Sequence, residues 1–71
     1  MKFVLIIWVC TFLQENACMR PIKYPYVFNS WYECSQAAHR ESRKLLREAG
    51  FAYVNKYRLG TKYSCRLEKS I

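Results

Sequence analysis

The chain has 71 residues, which is enough for one domain and leaves no room for a second. Hydrophobic residues make up 52% of it, with only two glycines and two prolines, so the composition is not that of a disordered protein. The formal net charge of +7 favours phosphate-bearing ligands, acidic proteins or anionic surfaces as partners, although a charge kept for solubility alone would look the same. We therefore expect one compact domain over 1–71.

The opening segment, Met1 to Leu13, is an apolar run with one lysine. It has the charged and apolar regions of a signal peptide but is too short to span a membrane, which takes about 20 apolar residues. Glu15 lies where a small residue should precede a cleavage site, and it also stands against a lipid anchor on Cys18. The β-branched residues of the segment favour a strand: Val4, Ile6, Ile7 and Val9. We predict that the segment stays attached as a strand, with removal of residues 1–17 as the alternative.

Both faces of this predicted strand are apolar. One face carries Phe3, Leu5, Ile7 and Val9, and the other carries Val4, Ile6, Trp8 and Cys10. A strand of this kind must be covered on both faces. Because the sequence predicts a single helix, which covers one face, we expect a second copy of the chain to cover the other face in a homo-oligomer.

The next segment, 14–29, contains two prolines that favour extended or turn conformations, Pro21 and Pro25. We expect a long connection here, and connections of this length are often functional. It mixes basic and aromatic side chains: Arg20, Lys23, Tyr24, Tyr26 and Phe28. This mixture makes the segment a candidate part of a binding surface.

One helix is predicted between Ser30 and Gly50. Ser30 and Glu33 form a capping box, in which each side chain bonds the backbone amide of the other residue. Gly50 ends the helix because glycine enters the left-handed conformation at low cost. The stripe predicted to be buried is Trp31, Cys34, Ala38, Ser42, Leu45 and Ala49. The opposite face is basic, with Arg40, Arg43, Lys44 and Arg47.

After the helix, residues 51–59 alternate with a period of two, which predicts a strand. Gly60 is predicted to form a turn, and 61–67 to form a further strand. The predicted fold class is α+β: a single β-α-β-β unit whose three-stranded sheet carries one amphipathic helix on one face. A right-handed crossover should make the first two strands parallel, with the last two strands antiparallel.

The sequence offers no catalytic constellation. His39 is the only histidine, and a lone histidine is more often structural or solvated than a general base. No phosphate-binding glycine loop, nucleophile elbow or pair of carboxylates is present. We therefore expect that the protein is not an enzyme and carries no cofactor.

The four cysteines, at positions 10, 18, 34 and 65, lack C-x-x-C spacing, so no metal site is predicted. Cys34 and Cys65 are placed so that they could face each other. They would form a bridge in an oxidising compartment and remain buried thiols in the cytosol. The thiols are the favoured interpretation, and the bridge is the alternative.

Like charges stand four residues apart on the basic helix face, at Arg40–Lys44 and Arg43–Arg47. Each such pair costs about 0.2–0.5 kcal/mol, and a bound anion would remove that cost. A purely solvated face is the plain alternative. Aromatic side chains nearby could stack a base, a contact worth ~1–3 kcal/mol. The candidate ligand-binding residues are Arg20, Lys23, Tyr24, Tyr26, Arg43, Arg47, Lys62 and Tyr63.

The segments K-F-V-L-I-I-W-V-C, N-S-W-Y-E-C and G-T-K-Y-S-C, and with them nearly the whole chain, resemble small uncharacterised proteins of marine bacteriophages. Some tiny oligomeric phage proteins sequester the cyclic nucleotides of bacterial immunity. The resemblance implies a phage protein of this type, which evades defence in the host cytoplasm without membrane attachment. A protein inhibitor of a host enzyme and a non-specific nucleic-acid binder are the alternatives.

Overall fold

A computed structural model of the chain describes residues 2–13 and 17–69. The elements in chain order are strand β1 (Lys2–Thr11), strand β2 (Ala17–Cys18), strand β3 (Ile22–Phe28), helix α1 (Trp31–Ala49), helix α2 (Phe51–Tyr57) and strand β4 (Leu59–Glu68). These elements confirm the α+β class and the small sheet with a helix on one face. Glu15, on which the argument against cleavage rests, lies outside the described residues.

Strand β1 is the central strand of the sheet. Strand β4 pairs with it along its whole length, from Lys2 opposite Glu68 to Thr11 opposite Leu59. On the other edge of β1, strand β3 pairs with its first part and strand β2 with its end. The strand predicted for the opening segment is confirmed, and its apolar side chains form the middle of the sheet.

The core lies between α1 and one face of the sheet. Leu5 and Ile7 of β1 pack there against Cys34, Ala37 and Ala38 of α1. The small alanine side chains allow the helix to lie close to the strands. The serine half of the predicted capping box is present, because the Glu33 amide donates to the Ser30 hydroxyl at 3.1 Å, and the Gly50 amide closes the helix on the Leu46 carbonyl.

The predicted burial is wrong at both ends of the stripe. Trp31 is 54% exposed, and Ala49 is also exposed. The fully buried residues of α1 lie between Cys34 and Ala38, in the first half of the helix, while Ser42 and Leu45 further along the stripe are half-buried. The tryptophan, as the first helical residue, precedes that section and faces water.

The strand predicted over 51–59 is wrong, because 51–57 form helix α2. Gly50, at φ 95°, ends α1, and its carbonyl then accepts the Val54 amide to start the new helix. Tyr53 and Tyr57, four residues apart, pack edge to face with ring centres 4.9 Å apart. The side-chain alternation was compatible with a strand, but a run this short does not distinguish the two structures.

The third long strand precedes the helix instead of following it. It is β3, which lies inside the predicted connection. Its register against β1 shifts between Val4 and Ile6. Val27 pairs with Val4 and Lys23 pairs with Ile6, so four positions along β3 match two positions along β1. Pro25 lies in this irregular stretch, where the missing amide hydrogen breaks no regular pairing. The predicted parallel pair is also wrong, since all pairings within 2–13 and 17–69 are antiparallel.

The turn predicted at Gly60 is wrong, because Gly60 lies inside β4, opposite Cys10. A side chain at this position would lie 2.6 Å from the Phe12 ring. Glycine therefore provides the space in which Phe12 rests on the strand.

Two central side chains of the second sheet face are buried within one chain, although Val27 on the same face is 47% exposed. Val4 and Ile6 are only 2% and 7% exposed, although α1 packs on the opposite face. Val4 lies between Val27 and Arg66, and Ile6 lies between Lys23 and Ser64. Long basic side chains cover apolar neighbours with their methylene stems while their charges stay in water. We call this surface the cationic sheet face; it comprises Lys2, Val4, Ile6, Trp8, Lys23, Val27, Lys62, Ser64 and Arg66.

All four cysteines form disulfides, Cys10–Cys18 and Cys34–Cys65, so the favoured thiol interpretation is wrong. Cys10 and Cys18 are direct partners on adjacent antiparallel strands. Cys34 on α1 reaches Cys65 on β4 because the helix lies over that part of the sheet. Closing a loop with a sequence separation of 31 contributes about 3–4 kcal/mol in the chain-entropy description. A domain this small usually needs such a staple.

Candidate anion-binding site

A groove of about 390 Å³ lies between the two helices. Its lining residues are Arg43, Leu46, Arg47, Phe51, Val54 and Asn55. Helix α1 contributes the first three of these residues, and α2 contributes the others. Because Gly50 joins the helices without a longer linker, residues close in sequence line both walls.

The two arginines are the charged groups of the groove. Arg43 and Arg47 are four residues apart on one face of α1, and both are exposed. Among the residues that the structure describes, the one ion pair joins Arg40 to Glu41, with Nε and Oε2 3.4 Å apart. The groove arginines are therefore two neighbouring cations without a described carboxylate partner. Guanidinium groups bind phosphate or carboxylate oxygens with paired hydrogen bonds, so this is an arrangement that favours an anion.

The groove also has an apolar part. Leu46 and Val54 are half-buried, while Phe51 is 87% exposed at the start of α2. Burying a phenylalanine side chain contributes about 1.5–3 kcal/mol, so a ligand that covers this ring gains binding free energy. A planar aromatic group is the best fit, since it can stack on the ring while an attached anion meets the arginines.

The described lining of the groove consists of two guanidiniums, one amide and three apolar side chains. These groups supply hydrogen bonds and an apolar surface for a ligand, and no carboxyl, imidazole, thiol or amine is among the described lining side chains.

The predicted ligand-binding residues do not form one site. Arg43 and Arg47 line the groove, whereas Lys23 and Lys62 lie on the cationic sheet face. Arg20 is exposed between β2 and β3. The sequence could not separate these cations, because their distribution depends on strand pairing.

Two predicted tyrosines belong to the core side of the sheet. Tyr63 packs against the core cluster, its hydroxyl 2.9 Å from the Ser35 hydroxyl, and the His39 ring meets it edge-on at 5.5 Å. Tyr24 also packs there, and its ring is stacked with that of the exposed Tyr26 at 6.4 Å. Hence Tyr63 and Tyr24 stabilise the fold, and Tyr26 is the free aromatic surface of the three.

Burial raises the pKa of the Tyr24 phenol above its ordinary value of 10.0, and the carboxylates of Glu41 and Glu48 add to that effect. These two glutamates therefore direct negative potential at the phenol. An anionic ligand would be repelled there, which separates Tyr24 from the basic groove.

The sequence does not reveal the α2 wall of the groove, because its pattern predicts a strand for Phe51, Val54 and Asn55. One signal for the second helix was present: Tyr53 and Tyr57 are spaced by four residues, as in a helical pair. That signal was weaker than the alternation over the same residues.

Comparison of the chain with protein-family models, with curated proteins and with solved structures finds no match. Within 2–13 and 17–69, neither helix combines the length and the apolar character that crossing a membrane requires. The site itself therefore carries the argument about function.

Proposed function

We propose that the protein is a small binding protein, not an enzyme, and that it takes up a phosphate-bearing nucleotide in the groove between α1 and α2. The observation that carries this proposal is the position of Arg43 and Arg47 beside the exposed ring of Phe51. Paired guanidiniums suit phosphate, and the aromatic ring suits a base. The groove volume of about 390 Å³ falls within the ~300–1,000 Å³ range of small-molecule sites.

The biological role that we propose is sequestration of a nucleotide immune signal by a phage protein, as the resemblance to marine bacteriophage proteins implies. A binding protein of this kind holds its ligand without converting it. The described residues of the groove lining include no carboxyl, imidazole, thiol or amine side chain, which supports retention over turnover.

The compartment bears on this role. The host cytoplasm is the predicted location, yet two disulfides favour an oxidising compartment. Action in the cytoplasm requires that the groove persists after both bridges are reduced. Repeating the ligand titration under reducing conditions tests this requirement directly.

The sequence also predicts a homo-oligomer through the second sheet face. That prediction relied on an apolar surface left open, and Val4 and Ile6 are already buried in one chain. Face-to-face pairing would bring Lys62 and Arg66 of two copies together, which like-charge repulsion disfavours. We propose that one chain is sufficient to bind the nucleotide. Light scattering during the titration measures the oligomeric state directly.

The test is calorimetric titration with cyclic dinucleotides and cyclic trinucleotides, with the linear mononucleotide of each base as a reference. We expect saturable binding of at least one cyclic nucleotide. Absence of heat and of a thermal shift with all of them would remove the proposal. A protein inhibitor of a host enzyme is then the remaining alternative, and it predicts recovery of one stoichiometric host protein.

A further inference from the structure

The cationic sheet face carries basic side chains from all three long strands. Trp8 lies opposite Lys62, Ile6 lies between Lys23 and Ser64, and Val4 lies opposite Arg66. Lys23, Lys62 and Arg66 are all exposed. This surface is on the opposite side of the sheet from α1 and shares no residue with the groove.

The strands set the spacing of these cations. Lys62 and Arg66 are four residues apart on β4, which corresponds to ~13 Å at ~3.3 Å per residue. Lys23 lies two strands away from Ser64, which corresponds to ~10 Å at ~4.8 Å per strand. Backbone pairing therefore fixes a triangle of three positions at which these cationic side chains are attached to the sheet.

Aromatic side chains lie at one end of the triangle. The Lys62 ammonium sits 5.3 Å from the centre of the Trp8 ring, a cation–π contact that positions this charge above the sheet. The Phe12 ring rests on Gly60, which is the next residue of this face along β4. Phe12 is 47% exposed, so an aromatic surface remains open beside the cations.

The charge of this face favours an anionic occupant. A second copy of the chain would place the same cations against each other. Insertion into lipid is disfavoured, since the central side chains Val4 and Ile6 are already buried. Glu68, which lies opposite Lys2, is a carboxylate at the far end of the face from Trp8.

We infer that the cationic sheet face docks single-stranded nucleic acid, with backbone phosphates on Lys23, Lys62 and Arg66 and a base on the aromatic end. A row of fixed cations matches a repeating phosphate backbone, and an aromatic ring accepts any base. The major groove of a duplex admits a helix or a two-stranded ribbon, whereas the described part of this face is built from side chains of a sheet, so an unpaired strand fits better than a duplex. This surface is separate from the proposed nucleotide site, and each can exist without the other.

The first experiment measures fluorescence anisotropy of a labelled oligothymidylate of about 12 nucleotides across a salt series. Three phosphate contacts predict a slope of log K against log salt of about −2. The double variant Lys62→Gln/Arg66→Gln should bind at least ~10-fold more weakly and lose about two thirds of that slope. The matched control Lys44→Gln/Lys56→Gln removes the same charge from exposed helix positions outside both the groove and the cationic sheet face, and it should bind as the unaltered protein does.

The second experiment reports on the aromatic end. The chain has two tryptophans, so Trp31→Phe leaves Trp8 as the fluorescent reporter. We expect the oligothymidylate to quench its emission and inorganic phosphate at equal phosphate concentration to leave it unchanged.

Equal weakening by both double variants would overturn the inference, because it would indicate a general charge effect. No binding of the oligonucleotide, or binding only of vesicles rich in phosphatidylglycerol, would also overturn it. If the unaltered protein binds the oligonucleotide but none of the cyclic nucleotides, the proposed function is rejected and this inference stands.

Discussion

Cys34 of α1 is bonded to Cys65 of β4, and Cys65 lies directly opposite Leu5 of the central strand. The bridge therefore crosses the hydrophobic core and joins α1 to β4. The Cα atoms of the two cysteines are 6.1 Å apart, although 31 positions separate them in the sequence. Because α1 also carries Arg43 and Arg47, this covalent link anchors the helix that forms one wall of the groove.

Replacing both of these cysteines, Cys34→Ala/Cys65→Ala, should lower the free energy of unfolding by about 2–5 kcal/mol. Two effects add up: the unfolded chain gains conformational entropy without the bridge, and the smaller alanine side chains leave a cavity in the core. Urea unfolding measures it. The matched variant Cys10→Ala/Cys18→Ala opens a loop with a separation of only 8 and should cost about 1 kcal/mol less. Thiols that react with an alkylating agent in the native protein would contradict both bridges.

In the groove, Arg43→Gln/Arg47→Gln should weaken nucleotide binding at least ~10-fold, since two charge-assisted phosphate contacts are lost. The same change at Lys44, an exposed cation of α1 that does not line the groove, should have little effect. Calorimetry measures both affinities. Equal losses from the groove pair and from Lys44→Gln would show that net charge alone governs binding.

Phe51→Ala should weaken binding of a nucleotide by ~1–3 kcal/mol, the range for loss of one base stack. Because the ring is 87% exposed, thermal stability should hardly change. The variant Phe51→Trp keeps an aromatic surface and should retain affinity. An unaltered dissociation constant for Phe51→Ala would exclude stacking on this ring.

The two glycines should respond differently to alanine. At Gly50, φ is 95° and ψ is 152°, a backbone conformation that is essentially restricted to glycine, and no atom lies within 4 Å of an added methyl group, so Gly50→Ala should cost about 1–3 kcal/mol through backbone strain. At Gly60 the added methyl group meets the Phe12 ring, an exposed side chain that can move aside. Thermal unfolding should therefore show a small change for Gly60→Ala, and the double variant with Phe12→Ala should remove that change. An unchanged unfolding temperature for Gly50→Ala would contradict the positive φ at this position.

Stability should fall in alkaline solution because of Tyr24. Its pKa is raised above 10.0 in the folded protein by burial and by Glu41 and Glu48, so the folded state holds the phenolic proton more tightly than the unfolded chain does. This contribution is complete below pH 10 and is lost as the pH rises through the folded value. Urea unfolding at several alkaline pH values should show a shallower decline for Tyr24→Phe. An identical pH dependence in the two proteins would contradict the assignment.

Local signals in the sequence determined several elements. The β-branched residues of the opening segment specify a strand, and Ser30, Glu33 and Gly50 specify the start and end of α1. These predictions held because each depends on backbone preferences or on hydrogen bonds between residues at most four positions apart.

Only the tertiary structure decided which elements meet. The pairing of β1 with β4 depends on contacts between distant residues, and it places Cys65 under Cys34 and Lys62 beside Trp8. Helix α2 follows Gly50 directly and packs against α1 and β4, and it joins no strand of the described sheet. The local pattern over 51–57 fitted both structures, so long-range packing selected between them, and with it the groove.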